Sequence, residues 1–352
     1  MKQKVSFLHG PRDLRVVEHD VPSPGSGQVL IEVMSCGICG SDVECFEGHS
    51  AEGRYDIAPY TPGHEWSGRI VEMGPECKSG LALGDKVVGD CVMGCGKCYN
   101  CKEGRMPSAC LNFREIGFRP DSPGGMGEYM VVEEEYVHKF PDSWSFDLGA
   151  WHEPFSIGYF GIWGNGGYID AGDTALIFGA GPIGMTAQIV AQTSGARTMV
   201  ADPLQSRRDR ARAYGADEVI DPTSNFVEQV MDLTGGHGAN VMVECSGNDK
   251  ALASLFDVGA HSARVRLIGH SVGRQVPVEI GKTIWRTLSI TGSGGTKNFA
   301  QRTIRFMDRI KDTVDITGLT THHFGFDRIH DAFDVAVNQK AEALKVMLHI
   351  KQ

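Results

Sequence analysis

The chain has no long apolar run and no leader-like start, and we take both absences as the first limits on its class. No stretch of its 352 residues approaches the roughly 18 apolar residues that a membrane-spanning helix needs. The first ten residues also lack the apolar run and the small-residue cleavage site of a secretory signal. We therefore expect a cytoplasmic protein with no membrane partner.

Basic residues are scarcer than acidic ones, with 34 Lys and Arg against 44 Asp and Glu, which leaves a formal net charge of −10. The two signs are interspersed along the chain, so we expect no basic face for nucleic acid. Hydrophobic residues make up 41% and charged residues 22%, which argues against a disordered chain. Because 352 residues exceed the usual size of one core, two domains are expected.

The texture of the sequence changes along the chain. Residues 1 to about 150 contain short β-type runs, such as 29–33 and 86–89, between clusters of glycine and proline. From about 170 to 290, apolar strands alternate with helical patterns, which predicts a parallel sheet wrapped by helices. The remainder returns to mixed strands with a helix around 329–337. Pattern alone does not assign this last part to either domain.

A glycine-rich loop follows the predicted strand at residues 174–178 and opens an apolar helix. It consists of Gly179, Ala180, Gly181, Pro182, Ile183 and Gly184. In such a loop the first glycine permits a tight turn, the second lets the backbone approach a pyrophosphate, and the third lets helix and strand pack closely. A chance glycine-rich turn is the alternative interpretation. The position between strand and helix favours a dinucleotide site.

The cofactor preference depends on Asp202, which ends the next predicted strand about 20 residues further on, where an acid binds the adenosine ribose hydroxyls. A carboxylate there also repels a 2′-phosphate, so the sequence favours NAD over NADP. Arg207 and Arg208 lie nearby in the sequence and leave NADP as an alternative. Asp202 could also serve simply as the N-cap of the following helix.

Several of the ten cysteines cluster, which indicates metal binding in an apparently intracellular protein rather than disulfides. Cys95, Cys98 and Cys101 recur at two-residue intervals, and Cys110 lies within a loop's reach. Four thiolates form a closed tetrahedral shell around zinc, which leaves no position for a substrate and marks a structural site. An iron–sulfur cluster is the less favoured alternative.

A second, dispersed set of residues can hold an open metal site. It contains Cys39, the pair His64 and Glu65, and Glu153, with His152 as an alternative to Glu153. One thiolate, one imidazole and one or two carboxylates can bind zinc while one position stays exchangeable, as a catalytic metal requires. The spacing alone is a weak signal, since a lone histidine or glutamate is more often structural.

Together these motifs resemble the zinc-containing medium-chain alcohol dehydrogenase family, and within it the sorbitol (polyol) dehydrogenase branch. The resemblance is carried by the runs at 36–42 (CGICGSD), 63–65 (GHE), 95–110, 153–156 (EPFS) and 179–185 (GAGPIGM), in this order through nearly the whole chain. It implies an α/β fold with a GroES-like β-rich catalytic domain and a Rossmann domain with a doubly wound parallel sheet. The implied boundaries are 1–153 for the first part of the catalytic domain, 154–290 for the Rossmann domain, and 291–352 for the return to the catalytic domain.

The resemblance also implies roles for individual residues. Cys39, His64 and Glu65 correspond to catalytic-zinc residues, with Glu153 as a fourth ligand or as the holder of the zinc water. Asp202 and Arg207 correspond to the acid and the arginine of the nucleotide pocket. The residues that would line the nicotinamide are Ile268, Gly269, His270, Ser293, Gly294 and Gly295.

The chain departs from the sorbitol dehydrogenase branch at several positions. Eight residues separate Cys101 from Cys110 where seven are usual, so Cys110 is the least secure ligand. Glu44 replaces the histidine of the family's proton relay, and His49 is a possible substitute. Gly295-Thr296 stands where sorbitol dehydrogenases carry an Arg-Tyr pair, which makes sorbitol itself a doubtful substrate.

The resemblance implies a zinc- and NAD-dependent dehydrogenase that reversibly oxidises a secondary alcohol of a polyol, sugar or cyclitol-like substrate to a ketone. Ser41 would take the released proton, and Glu44 or His49 would pass it outward. An amino-alcohol or threonine-type dehydrogenase, a zinc-free NADPH reductase of the same superfamily and a noncatalytic nucleotide-binding protein are the alternatives. The expected partners are a small-molecule substrate and further copies of the chain in a dimer or tetramer.

Overall fold

A computed structural model of the chain describes residues 1–49, 58–164, 166–269, 273–295 and 299–351. The chain divides into two compact units. The first comprises Met1–Glu153 together with Gly295–Gln352, and the second comprises Pro154–Gly294. The second division therefore lies between Gly294 and Gly295, whereas the sequence analysis placed the return to the first unit at residue 291.

Among the residues that the structure describes, the first unit begins with nine strands and three short helices, whereas strands and helices alternate in the second unit. The strands are β1 (Lys2–Leu8), β2 (Leu14–Asp20), β3 (Gln28–Ile38), β4 (Glu65–Met73), β5 (Lys86–Gly89), β6 (Val92–Met93), β7 (Arg114–Glu115), β8 (Tyr129–Glu133), β9 (Val137–Lys139), β10 (Thr174–Phe178), β11 (Arg197–Ala201), β12 (Glu218–Ile220), β13 (Ala239–Glu244), β14 (Gly259–Leu267), β15 (Ser289–Gly292), β16 (Thr320–Gly325) and β17 (Lys345–His349). The helices are α1 (Gly40–Glu47), α2 (Tyr99–Lys102), α3 (Phe146–Ala150), α4 (His152–Trp163), α5 (Pro182–Thr193), α6 (Gln205–Ala213), α7 (Phe226–Leu233), α8 (Asp249–Val258), α9 (Gly281–Arg286), α10 (Ala300–Ile310) and α11 (Ile329–Asn338).

The first unit is built on a seven-stranded sheet in the order β16-β17-β3-β4-β5-β9, with β8 also paired to β3. The long strand β3 pairs antiparallel with β4, β8 and β17. Its side chains Val29, Ile31 and Val33 are completely buried in the core of this unit. Because β17 pairs with the end of β3, residues near the C-terminus lie beside the segment that leads into α1.

The second unit contains six parallel strands in the order β12-β11-β10-β13-β14-β15. The chain proceeds outward from β10 in both directions, so the sheet is doubly wound, and the prediction of a Rossmann-type sheet is confirmed. Residues 175–178 of β10 (ALIF) are almost wholly buried, as expected for parallel strands with both faces covered. Across the described residues, no helix has both the length and the apolar character needed to cross a bilayer.

Candidate metal centres and nucleotide-binding loop

Three side chains predicted to hold a metal converge in the first unit. Cys39 is the N-cap of α1, directly after β3, and His64 and Glu65 lie at the start of the neighbouring strand β4. The ligand atoms of these three residues all lie within 4.8 Å of one another. Gly37 on β3 pairs with Glu65 on β4, which brings the start of β4 beside Cys39. Only glycine fits at position 37, because a Cβ there would collide with the Glu65 carboxylate.

The Glu65 carboxylate is held by a buried lysine from the other end of the chain. The Nζ atom of Lys345, on β17, donates to both Glu65 carboxylate oxygens, at 2.6 and 2.5 Å, and to the carbonyl oxygen of Ile38 at 3.2 Å. The two side chains are only 2% and 1% exposed. Burial alone would lower the pKa of Lys345, but Glu65 and Cys39 outweigh it and raise the pKa, so the ammonium stays charged.

Asp42 organises the same centre from the first turn of α1. One of its carboxylate oxygens accepts the backbone N–H of Cys39 at 2.9 Å, and the other accepts that of Gly63 at 3.3 Å. The second oxygen also lies 3.8 Å from Nδ1 of His64. Burial would lower the pKa of His64, but the adjacent Cys39 and Asp42 raise it well above its usual value. A carboxylate behind a ligating imidazole is a common means of orienting the ring.

Glu153 lies near this group without belonging to the set within 4.8 Å. It is buried at the start of α4, and burial raises its pKa to about 7, with His64 opposing the shift and Glu65 adding to it. His152 does not join the centre either, because it contacts the backbone of Ala300, and burial lowers its pKa to about 3. Of the two alternatives, Glu153 is thus the one close enough to interact electrostatically with His64.

The three predicted proton-relay residues all lie on or after α1. Ser41 is half-buried in the first turn, and Glu44 lies three residues later and is exposed. This spacing places Ser41 and Glu44 on neighbouring positions of one helix face. His49 is exposed beyond the C-cap Gly48, where its backbone N–H donates to the carbonyl of Glu44 at 2.8 Å. Ser41 and Glu44 therefore share one face of α1, whereas His49 follows the end of the helix.

The four-cysteine group forms a separate lobe between β6 and β7. The ligand atoms of Cys95, Cys98, Cys101 and Cys110 all lie within 4.8 Å of one another, so the longer gap before Cys110 does not keep it from the others. Sγ of Cys98 lies 3.5 Å from that of Cys101 and 3.7 Å from that of Cys110. Backbone N–H groups of Leu111 and Cys101 lower the pKa of Cys98 to about 6, whereas desolvation raises that of Cys101 to about 12, so the thiolate that a metal needs is favoured at Cys98 first.

The glycine-rich loop of the second unit has the conformation expected for a dinucleotide site. Gly179 directly follows β10 with φ +92°, a left-handed value that favours glycine. A Cβ at Gly184 would collide with the carbonyl of Gly179, whereas the space beside Gly181 is open apart from the Arg207 guanidinium at 3.9 Å. The N-terminus of the twelve-residue helix α5 follows directly, with Gly181 as its N-cap. Free N–H groups at this position can bind a phosphate.

Asp202 lies at the carboxyl end of β11, beside this loop. One carboxylate oxygen accepts the backbone N–H of Ala180 at 2.9 Å, and the other accepts that of Leu204 at 2.9 Å. The N-cap of α6 is Leu204, so the interpretation of Asp202 as the helix cap is wrong. The guanidinium of Arg207 lies 3.8 Å from an Asp202 carboxylate oxygen. Arg208 instead donates to the Asp202 carbonyl at 2.6 Å.

The predicted nicotinamide residues follow the last two strands of the same sheet. The backbone N–H groups of Ile268 and Gly269, just after β14, donate to Glu244 at the end of β13, and Ser293 follows β15. In parallel sheets the ligand lies at this carboxyl edge. Gly294 ends the second unit and Gly295 begins the last part of the first. His270 and Thr296 lie outside the described residues.

The residues Cys39, His64 and Glu65 are called the Cys39 centre below. Sequence reasoning missed two charged side chains that support this centre, Asp42 and Lys345, and one nearby thiol, that of Cys91. Asp42 was quoted within a motif but received no role, and Lys345 belonged to no motif. Cys91 is half-buried in this region, and desolvation, followed by the charge of Glu153, raises its pKa well above the usual thiol value. A buried lysine in a strand was the one available clue, since such a lysine needs a carboxylate partner.

Comparison with known proteins adds independent information. Two family models match the chain, the alcohol dehydrogenase GroES-like domain at residues 25–142 and the zinc-binding dehydrogenase family at residues 182–311. L-threonine 3-dehydrogenase of Pyrococcus furiosus is 34% identical over 346 residues, which cover 95% of this chain and 94% of that enzyme. Sorbitol dehydrogenase of Bacillus subtilis is 28% identical, with 98% and 97% covered. A solved protein of Sinorhizobium meliloti, described as a zinc-binding dehydrogenase bound to NADP, gives a TM-score of 0.90 at 27% identity and covers 99% of this chain and 100% of that one.

Proposed function

Because the chain belongs to the zinc-dependent medium-chain alcohol dehydrogenase family, we propose that it oxidises a secondary alcohol to a ketone, reversibly, with NAD as the cofactor. The observation that carries this proposal is the convergence of Cys39, His64 and Glu65 within 4.8 Å. When bound, zinc would supply a Lewis acid that lowers the pKa of the substrate hydroxyl, and NAD a hydride acceptor. The chain's own residues position these groups and remove the proton.

The chemistry of the donor set fits a divalent cation. The centre and its surroundings contain a thiol, an imidazole and the carboxylates of Asp42, Glu65 and Glu153, all buried or half-buried, and the ammonium of Lys345 pairs with Glu65. So many acidic groups are costly to bury unless a cation balances them. Soft thiolate and borderline imidazole donors favour zinc over magnesium or calcium. Cys39 and His64 would be its protein ligands, with Glu65 or Glu153 as the carboxylate ligand or as the holder of water.

Proton release is assigned to α1. Ser41 would accept the proton of the substrate hydroxyl, and Glu44, one turn further on the same helix face, would pass it to solvent. The half-buried serine and the exposed glutamate support this direction. Asp42 has a different task on this helix, since both of its oxygens are used to hold the backbone around Cys39 and His64.

The proposal of NAD rests on Asp202, whose carboxylate would face a 2′-phosphate with like charge. Arg207 favours NADP instead, because its guanidinium lies beside Asp202 and can bind a 2′-phosphate. The Sinorhizobium meliloti protein is also bound to NADP. Asp202→Ala should therefore raise the Michaelis constant for NAD and improve turnover with NADP. A wild-type protein that prefers NADP would overturn the assignment.

The substrate class we propose is a secondary alcohol with a polar group on the neighbouring carbon. The hydroxyl-bearing carbons of L-threonine and of polyols, sugars and cyclitols share this feature, and relatives named for threonine and for sorbitol both match nearly the whole chain. Gly295 argues against sorbitol itself, since the sorbitol dehydrogenase branch carries an arginine there. A pocket without that hydrogen-bonding group selects weakly for a polyol hydroxyl.

A substrate panel tests the proposal. Zinc-loaded protein is mixed with NAD and with L-threonine, other amino alcohols, sorbitol, sugars or cyclitols, and NADH formation is followed by its absorbance. We expect turnover with at least one of these classes and little with sorbitol. If no secondary alcohol is oxidised by protein that contains zinc and binds NAD, the chain is a noncatalytic nucleotide-binding protein.

A homo-oligomer is proposed as the working form, and the second copy would pair along β15. This strand is at the edge of the parallel sheet, and the adjacent helix α9 exposes Ile284 and Trp285 by 82% and 78%. An edge strand beside exposed apolar side chains is a surface that a symmetric partner can cover. Trp285→Glu should shift the protein toward the monomer in sedimentation velocity, and an unchanged oligomer would exclude this face.

A further inference from the structure

A third group of potential metal ligands lies in the first unit, and neither the sequence motifs nor the proposed reaction uses it. Asp147 comes from the first turn of α3, His323 from β16 and His349 from the end of β17. One ligand atom from each residue lies within 4.8 Å of the others. The group is separate from the Cys39 centre, because His349 lies four positions beyond Lys345 on β17, or about 13 Å along the strand.

The distances within this group are close to those in a metal shell. Nε2 of His349 lies 3.1 Å from both carboxylate oxygens of Asp147, and Nδ1 of His323 lies 3.6 Å from one of them. With metal–ligand bonds of about 2.1 Å, adjacent ligands are separated by about 3 to 3.4 Å. The ring centroids of the two histidines are 5.2 Å apart. Only small side-chain rotations are needed for all three to contact one ion.

The backbone and a neighbouring hydroxyl hold these side chains in place. β17 pairs on one side with β16, where His349 is opposite Gly325, and on the other side with β3, where it is opposite Ser35. The Ser35 hydroxyl donates to Asp147 at 2.6 Å and so fixes the orientation of the carboxylate. Hydrogen bonds of this kind commonly orient metal ligands. The group is therefore largely preorganised.

We propose that Asp147, His323 and His349 form a third metal site, which binds a divalent first-row transition ion. Two imidazoles and one carboxylate suit Zn²⁺, Ni²⁺ or Cu²⁺ rather than Mg²⁺ or Ca²⁺. The side chains are 21%, 46% and 29% exposed, so an ion there has open positions for water and exchanges with solvent. These ligands are more exposed than His64 and Glu65 of the Cys39 centre, and, unlike four thiolates, they do not complete a closed tetrahedral shell.

Nickel titration of tag-free protein tests the proposal. The protein is first saturated with zinc and dialysed against a weak chelator to empty exposed sites, and Ni²⁺ binding is then measured by isothermal titration calorimetry. We expect one Ni²⁺ per chain, and at least tenfold weaker binding in the double variant His323→Gln/His349→Gln. Nickel should also raise the melting temperature of the wild type but not that of the variant.

His330→Gln provides the matched control, since His330 is an exposed histidine on α11 outside the group. This variant should bind nickel as the wild type does. Asp147→Asn keeps the shape of the side chain and removes its charge, and it should also weaken binding, which guards against an unfolded double variant. Equal nickel affinity in the wild type, Asp147→Asn and the double variant, or no nickel bound by the wild type, would overturn the proposal.

Discussion

The Cys39 centre and the four-cysteine lobe differ in how their members are distributed along the chain. The lobe takes all of its thiols from Cys95–Cys110, an excursion between two short strands, and its sulfurs are held by one another and by nearby backbone N–H groups. The Cys39 centre combines the N-cap of α1 and the residues at the start of β4 with Lys345 on β17, 280 positions away from Glu65. A local site can stabilise its own loop, whereas a dispersed site requires the completed sheet.

Under the proposed function, this difference separates two roles for metal in the first unit. A closed shell of four thiolates has no position for substrate and can contribute only to stability. An open centre, with carboxylates, one imidazole and one thiol, can exchange ligands but needs support from charged neighbours such as Lys345 and Asp42. Substitutions in the two sites should therefore affect different measurements, stability for the lobe and turnover for the centre.

The largest effect is expected from Cys39→Ser. Loss of the thiolate should disable the catalytic metal, and because Lewis-acid activation is worth several kcal/mol at about 1.4 kcal/mol per tenfold, turnover should fall at least about a thousandfold. Binding of NADH, measured by fluorescence titration, should not change. Cys77→Ser is the control, since this cysteine lies in neither group. Near-normal turnover of zinc-depleted Cys39→Ser protein would show that the Cys39 centre is not the catalytic site, and its contrast with the four-cysteine lobe would then be wrong.

Cys98→Ser should show the opposite profile. Structural zinc contributes binding energy directly to folding, so we expect loss of one zinc per chain and a melting temperature lower by roughly 5 to 10 °C, equivalent to about 2–3 kcal/mol. The folded fraction should keep most of its turnover at low temperature. Metal analysis measures the zinc content, thermal melts measure the stability, and turnover rates are measured at about 15–20 °C, where the variant stays folded. A variant with normal stability but no turnover would mean that the two roles are reversed.

Lys345→Met tests how strongly the dispersed centre depends on its distant support. Removing one partner of a buried ion pair leaves an unpaired charge and costs about 3–5 kcal/mol in the free energy of unfolding. The double variant Lys345→Met/Glu65→Gln should recover part of this loss, since no charge is then left unpaired. Lys351→Met is the matched control, because Lys351 pairs with Glu32 at a partly exposed position, and it should cost less than about 1 kcal/mol. Urea unfolding of all three measures the difference, and equal costs for the two lysines would contradict it.

The same contrast explains how much the sequence could predict. Features contained in one short run were recognisable, such as the strand at residues 174–178, the glycine loop after it and the cysteines of the lobe, because their ligands and spacing follow from local geometry. The partner of Glu65 was not recognisable, since it depends on the pairing of β17 with β3. The group of Asp147, His323 and His349 was missed for the same reason: no two of its members lie close in the sequence. The role of Gly37 was not recognisable either, because its missing side chain makes room for Glu65 only through the pairing of β3 with β4.

The smallest effect is expected at the proton path, where the centre opens toward solvent. If Glu44 passes on the proton that Ser41 accepts, Glu44→Gln should lower turnover several-fold, and most at low pH, where hydroxide cannot take the proton directly. His49→Gln should change little, because His49 follows the end of α1 while Ser41 and Glu44 share one face of it. Turnover is measured across the pH range for both variants with saturating substrate and NAD. An unchanged profile for Glu44→Gln together with a slower His49→Gln would move the path to His49. That result would also show that the proton path of the Cys39 centre does not follow α1 alone. It would then include His49, which follows the C-cap Gly48, and would depend on how the fold places that residue.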